Sequence, residues 1–201
     1  MANTRGSFRQ TWTAIRALAI FTVVLGLLYP ATITLVAQLM PSQANGSLVS
    51  VGDKVVGSAL IGQSFTDADG NALSQWFQSR PSAAGDGYDG AASSGSNYGP
   101  ENADLIAAIE ARQAAIAELE GVDVADIPAD AVTASASGLD PHISEAYALL
   151  QVPRVARERG LDEQAVQKLV ESMVEGRVLG YLGEVRVNVL ELNVALEKLD
   201  N

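Results

Sequence analysis

Residues 17–40, ALAIFTVVLGLLYPATITLVAQLM, form a continuous uncharged and mostly apolar run. As a helix it rises about 36 Å at about 1.5 Å per residue, longer than a hydrocarbon core of about 30 Å. A basic leader and the small-x-small triplet Ser42-Gln43-Ala44 are also what a cleavable signal peptide carries. Signal cores run only about 7–15 residues, so the length predicts an uncleaved membrane helix. Gly26 offers a close-packing position, and Pro30, next to Tyr29, frees a backbone carbonyl and is expected to kink the helix. Thr22, Thr32, Thr34 and Gln38 add polar handles. Gly26, Tyr29, Pro30 and Gln38 therefore mark a helix packed on other membrane helices. Threonines bonded back to their own helix are the alternative.

Beyond Met40 the pattern changes. PSQANGS is a turn-rich exit, in which Asn45-Gly46-Ser47 formally matches a glycosylation sequon. Val55-Val56 and Leu60-Ile61, separated by Gly57 and Gly62, predict short bent strands, and QWFQSRP at 75–81 predicts another. Residues 85–99, rich in Gly, Ser, Asp and Asn, predict a loop. A helix is expected from Asn102 to Gly121, with Leu105, Ile106, Ile109, Ile116 and Leu119 as its apolar stripe. A piece over 145–159 reads as helical but interrupted at Pro153. Another helix starts at the N-cap Asp162, with Leu161 and Val166 as a staple, and stops at Gly176. The tail VRVNVLELNVAL alternates as a strand first and turns helical near 195–199. The expected fold is α+β: one N-terminal transmembrane helix followed by a single soluble domain.

Charge orients this layout. Arg5, Arg9 and Arg16 precede the apolar run, whereas ten of the 13 Lys/Arg and all 24 Asp/Glu follow it, a net of −14 after residue 40. Basic residues favour the cytoplasmic side. The chain thus divides into a cytoplasmic basic tail (1–16), a transmembrane helix (17–40) and an extracytoplasmic domain (41–201). The acidity argues against nucleic acid as a partner. With no cysteine there is no disulfide and no thiolate ligand or nucleophile.

The stretch TASASGLDPHIS, 133–144, holds serines, an aspartate and the chain's single histidine. It lacks G-x-S-x-G, and His142 lies only two residues from Asp140, too close for the usual orienting pair without an unusual turn. Asp140-Pro141 reads instead as the N-cap and first residue of a short helix, with His142 facing solvent or a partner. A lone histidine without clustered carboxylates is also a poor metal site. No G-x-x-x-x-G-K-[ST] loop and no DKTG phosphorylation motif is present. The sequence predicts no catalytic residue and no metal ligand. A free-standing membrane-anchored hydrolase or binding protein is the competing class.

GLLYPATITLVAQLMPSQANGSL, GSALIGQSF, SRPSA, SSGSNYGPEN, TASASGLDPHIS, QVPRVARERGL and EGRVLGYLGEVRVNVLELNVAL resemble, in order and spacing, the C subunit of Kdp-type potassium-transporting P-type ATPases. The likeness spans residues 16–196, with departures at Glu145 and Val185, where the family usually has proline, and at Met173. It implies a bacterial inner-membrane complex for high-affinity potassium uptake. The partners implied are a channel-like subunit that selects potassium, a P-type ATPase subunit that carries catalysis, and a very small membrane subunit. Two roles are attached to the C subunit: a catalytic chaperone that raises the pump's ATP affinity by binding nucleotide, or a domain outside the membrane over the ion entrance. Charge asymmetry favours the second, as an accessory subunit for assembly, so ATP is a cofactor only by resemblance. Loops on a scaffold often carry contacts. Ser93, Ser94, Gly95, Ser96, Asn97, Asp140, His142, Ser144 and Arg154 are the contact candidates, with tight turns needed by the fold as the alternative.

Overall fold

The computed structural model describes residues 4–199; the first three residues of the basic tail and the last two of the soluble domain lie outside them. The chain separates into two units, 1–47 and 48–201.

In the first unit, α1 (Thr4–Val23) continues through a π-helical turn (Val24–Leu28) into α2 (Tyr29–Ala37). The stretch Phe8–Ala37 is long and apolar enough to cross a membrane. The helix therefore begins inside the predicted tail and ends at Ala37, with Gln38 as C-cap, before Met40. Pro30 lacks an N–H and its ring crowds the carbonyl one turn back. The wider turn accommodates it: Tyr29 N–H bonds Val24 O, five residues earlier. Thr32 and Thr34 hydroxyls donate to Leu28 O and Pro30 O at 2.8 Å, and Gln38 Nε2 to Thr34 O at 3.4 Å. These polar groups are thus tied to their own helix. The short α3 (Pro41–Ala44) ends the unit.

The second unit is the α+β domain. β1 (Leu48–Val51) and β2 (Lys54–Ser58) form an antiparallel hairpin. Leu60-Ile61, expected as a strand, is a turn held by Ser58, whose carbonyl accepts from Ile61 N–H and whose hydroxyl accepts from Leu60 N–H. α4 (Ala103–Glu120) starts where Asn102 Oδ1 accepts from the amides of Asp104 and Leu105, and ends at Gly121 in the left-handed region. Its predicted stripe is corrected at Ile106, which is exposed. The short α5 (Ala129–Val132) follows.

β3 (His142–Ile143) leads into α6 (Glu145–Arg159), capped by Ser144 Oγ on Tyr147 N–H at 3.0 Å. Pro153 does not interrupt α6. Buried residues on both sides of it, Gln151, Val152, Arg154 and Val155, hold both halves in one core. α7 (Glu163–Ser172) is capped by Asp162 as predicted. It ends before Gly176, because Val174 and Glu175 form β4 (Val174–Glu175) against β5 (Arg186–Asn188). The antiparallel order is β3-β5-β4. α8 (Val189–Leu199) begins directly after β5, earlier than its β-branched residues suggested, because Val189, Leu190, Leu192 and Leu196 bury one face. Phe77, Ile143, Tyr147, Val155, Val166, Val170, Val187 and Leu192 share the core.

Residues 75–81 form no strand, although Phe77 and Gln78 are buried. Buried backbone groups still need partners, and here side chains supply them. Asn193 accepts from Phe77 N–H and donates to Phe77 O, both at 3.0 Å. Gln151 accepts from Gln78 N–H at 2.6 Å and donates to Gln78 O at 3.2 Å. Each amide thus acts as one rung of a strand partner. Arg154 extends the clamp, donating to Ser74 O, to Trp76 O at 3.0 Å and to Gln151 Oε1 at 2.9 Å. Its Nε meets Glu120 Oε2 at 2.9 Å, with both side chains 1% exposed. Burial pushes the Glu120 carboxyl above its ordinary range, opposed by the Arg154 hydrogen bond and charge.

Removing the cation from this pair leaves a buried carboxylate and the Ser74 carbonyl unpartnered, and leaves Trp76 O with only its bond from Gln78 Nε2. Arg154→Met is expected to cost about 3–5 kcal/mol, read from urea unfolding of the full chain in detergent. Arg154→Lys is expected to recover only a minor part, since an ammonium cannot span the same fork of acceptors.

Candidate functional site

The predicted loops converge on segment 133–142. Ser93 Oγ donates to Ser137 O at 2.9 Å. A Cβ at Gly95 would sit 2.7 Å from Ala136 O, and one at Gly138 2.6 Å from Ser94 O. Gly138 also has φ +70°, which L side chains rarely adopt. Close backbone approach therefore dictates the small residues of both stretches. Ser93, Ser94, Ser96 and Asn97 remain exposed, and Asn97 Nδ2 returns to Gly95 O at 3.0 Å.

Asp140 does not cap a helix. Its Oδ1 accepts from His142 N–H at 3.0 Å and lies 3.2 Å from His142 Nδ1. The local turn that a two-residue spacing requires is therefore present. His142 enters β3 opposite Asn188, so pairing with β5 overrides the helix-start signal of Asp-Pro. Asp140 Oδ2 meets Arg80 Nη1 at 3.1 Å. Burial alone would raise the Asp140 carboxyl, but hydrogen bonds from the His142 ring and amide, with the His142 and Arg80 charges, hold it below the usual carboxylate range. Among the described residues no serine hydroxyl is hydrogen-bonded to His142. Ser144 Oγ donates to Asp130 Oδ1 at 2.8 Å, and Ser135 Oγ pairs with Ser137 Oγ at 3.2 Å. The nucleophile-to-base contact of a hydrolase is not formed here.

Tyr88 lies beneath the cluster. Its hydroxyl donates to Arg80 O at 2.8 Å and to Asp140 O at 3.3 Å, and burial pushes its pKa up to about 12. Ser144 is a helix cap, half-buried. Arg154, a contact candidate by sequence, is turned into the core, where four partners use its guanidinium. Arg80, Tyr88, Asp130 and Glu120 escaped the sequence reading. A charged Arg154 between the apolar Val152 and Val155 was the one local sign of a buried clamp. In the membrane segment, a Cβ at Gly26 would meet only Thr22 Cγ2 at 4.0 Å, so nothing within this chain requires that glycine.

One cleft, of about 750 Å³, is bordered by Ser74, Arg112, Tyr147, Arg154, Arg157 and Glu158. A nucleotide's phosphates would face both cations and carboxylates on its wall. Arg154 is used by the clamp, Arg157 is mostly exposed with its Nε 3.3 Å from Glu158, and Arg112 Nη1 donates to Val132 O at 2.9 Å. Glu118 and Glu158 add like charge to the wall, and no glycine-rich loop opens onto a helix there. Among the described residues, no group of three or more His, Asp or Glu is placed to hold a metal ion.

A family model described as "KdpC: K+-transporting ATPase, c chain" matches residues 11–198. A protein of Kineococcus radiotolerans named "Potassium-transporting ATPase KdpC subunit" is 52% identical, covering 94% of this chain and 93% of that one. A Caulobacter vibrioides protein of the same name is 54% identical over 92% of this chain and 90% of its own. One from Mycobacterium tuberculosis is 48% identical over 95% and 99%.

Two outcomes follow from the loop geometry. Gly138→Ala is expected to destabilise the domain by about 1–3 kcal/mol, because backbone lies on the side a methyl must occupy; thermal unfolding checks it. Asp140 has a lowered pKa when folded, so its contribution is present above the unfolded value, 3.8, and is lost as pH falls through the lower folded value. Asp140→Asn is expected to flatten the fall of the thermal midpoint below pH 3.8.

Proposed function

The chain belongs to the family of the C subunit of the potassium-transporting ATPase, and we propose that it is a non-catalytic accessory subunit for assembly of that transporter. The family match over residues 11–198 carries this reading. In it the arginine-preceded helix anchors the chain in the bacterial inner membrane, N-terminus inside, and the acidic domain lies outside over the ion entrance. Catalysis and ion selection belong to a P-type ATPase subunit and a channel-like subunit, with a very small membrane subunit completing the complex.

A single apolar helix cannot enclose an ion path, which supports an assisting role. Gly26, Tyr29, Pro30 and Gln38 are proposed to pack on other membrane helices: Gly26 leaves open space, and the π-helical turn shifts the helix face beside it. Ser93 to Asn97 are proposed as a contact loop, because their side chains are mostly solvent-facing and the loop lies against 136–138; the partly exposed Asp140 and His142 are proposed beside it. Arg154 is not among these contacts, being consumed by the clamp. ATP binding by this chain is the competing reading, and the carboxylates of Glu118 and Glu158 on the wall of the 750 Å³ cleft weigh against it. We propose that the domain works without nucleotide.

The test is reconstitution. Complex prepared without this chain is expected to lose most of its potassium-stimulated ATPase activity, and the tagged chain is expected to recover the other subunits. Full activity without it would overturn the reading. A photoreactive ATP analogue is expected to label the ATPase subunit and leave this chain unlabelled; saturable labelling here would favour the nucleotide alternative.

A further inference from the structure

Between β4 and β5 the chain makes a turn, VLGYL, that exposes four large apolar side chains in five residues. Leu179 is 78% exposed and Tyr181 69%, flanked by Val178 at 59% and Leu182 at 50%. The turn has a defined shape. Val178 and Leu182 exchange backbone hydrogen bonds at 2.9 and 3.0 Å, and Gly180 N–H bonds Arg177 O at 3.0 Å. Leu179 is held at φ 56°, a region that L side chains seldom occupy. A leucine there is left-handed in backbone and mostly solvent-exposed, so it neither suits the turn nor fills the core. Its use lies outside the domain.

Charge selects the occupant. The stem neutralises itself, Arg177 pairing with Glu184 at 3.0 Å and Arg186 with Glu175 at 2.9 Å. The tip itself carries no charge and meets no opposite field. The region after residue 40 carries a net −14, which opposes an anionic lipid surface and equally a second copy of the same domain. A neutral apolar pocket on a different protein suits it. Rigid aromatic and aliphatic anchors in such pockets dominate interfaces, and a preformed turn avoids ordering costs on docking. We propose that residues 178–182 form a docking knob that inserts into an apolar pocket on another subunit of the transporter. The inference rests on the accessory-subunit reading above.

The test uses the full, tagged chain expressed with the other subunits. A photoreactive phenylalanine derivative at Leu179 is expected to give an adduct with another subunit, about tenfold above the same probe at the exposed Glu163. Leu179→Asp with Tyr181→Asp is expected to cut recovery of the other subunits about tenfold. Its far-UV circular dichroism should stay unchanged, since both side chains are exposed. Adducts with lipid alone, adducts with a second copy alone, or full recovery by the double variant would overturn the knob. If the unmodified chain recovers no other subunit, the accessory reading itself fails and the docking site with it.

Discussion

The buried Arg154 clamp is the interaction on which the rest of the domain depends. A non-strand segment, 74–78, runs through the core, and its amides and carbonyls cannot stay unpaired there. Asn193 from α8 and Gln151 and Arg154 from α6 supply the missing partners. Burying a guanidinium carries its own desolvation cost, offset by Glu120 from α4 and by several acceptors at once. Three helices distant in sequence are thereby fixed to one piece of backbone. Uniqueness of arrangement, more than added stability, is what such a network supplies.

That order passes outward along the chain. The clamped segment continues directly into Arg80, Pro81 and Ser82. Arg80 pairs with Asp140, Pro81 O accepts from Ser135 N–H at 2.8 Å, and Ser82 Oγ donates to Gly138 O at 2.6 Å. Asp140 in turn orients His142, and Gly138 lets the 93–97 loop lie flush against its neighbour. The exposed loops are thus braced from below, step by step, from the core. A surface set this firmly suits rigid-body recognition by a partner, and the charge of the Asp140 cluster serves position.

The elements legible in the sequence are those with local causes. Asn102, Asp162, Gly121 and the apolar spacing of α4 and α7 act within one or two turns, so the helices they delimit are visible without the fold. Elements decided by distant partners were not. The 75–81 segment looks like a strand because its backbone is buried, yet its partners are side chains more than 70 residues away. Asp140-Pro141 carries a helix-start signature that loses to pairing of His142 with Asn188. Gly176 would have stopped α7, but β4 stops it sooner. Glu145, where the resembled family favours proline, is the first residue of α6, a position that suits either proline or an acid. For the candidate site, the loops were legible from their composition, while Arg80 and Tyr88 beneath them were not, since only the folded chain brings them to Asp140.

The two units divide the work that family membership assigns. An apolar helix carries Pro30 in a π-helical turn and leaves Gly26 open to a neighbour, and an acidic domain presents braced loops and an apolar turn. That division is the basis of the proposed accessory role. The orientation of the domain is the claim on which this account turns, because nucleotide lies on one side of the membrane and the ion entrance on the other. A compartment-sensitive reporter fused after Asn201 measures it. The account predicts activity of the reporter only outside the cytoplasm; a cytoplasmic signal would contradict it and return the nucleotide-binding role to the front.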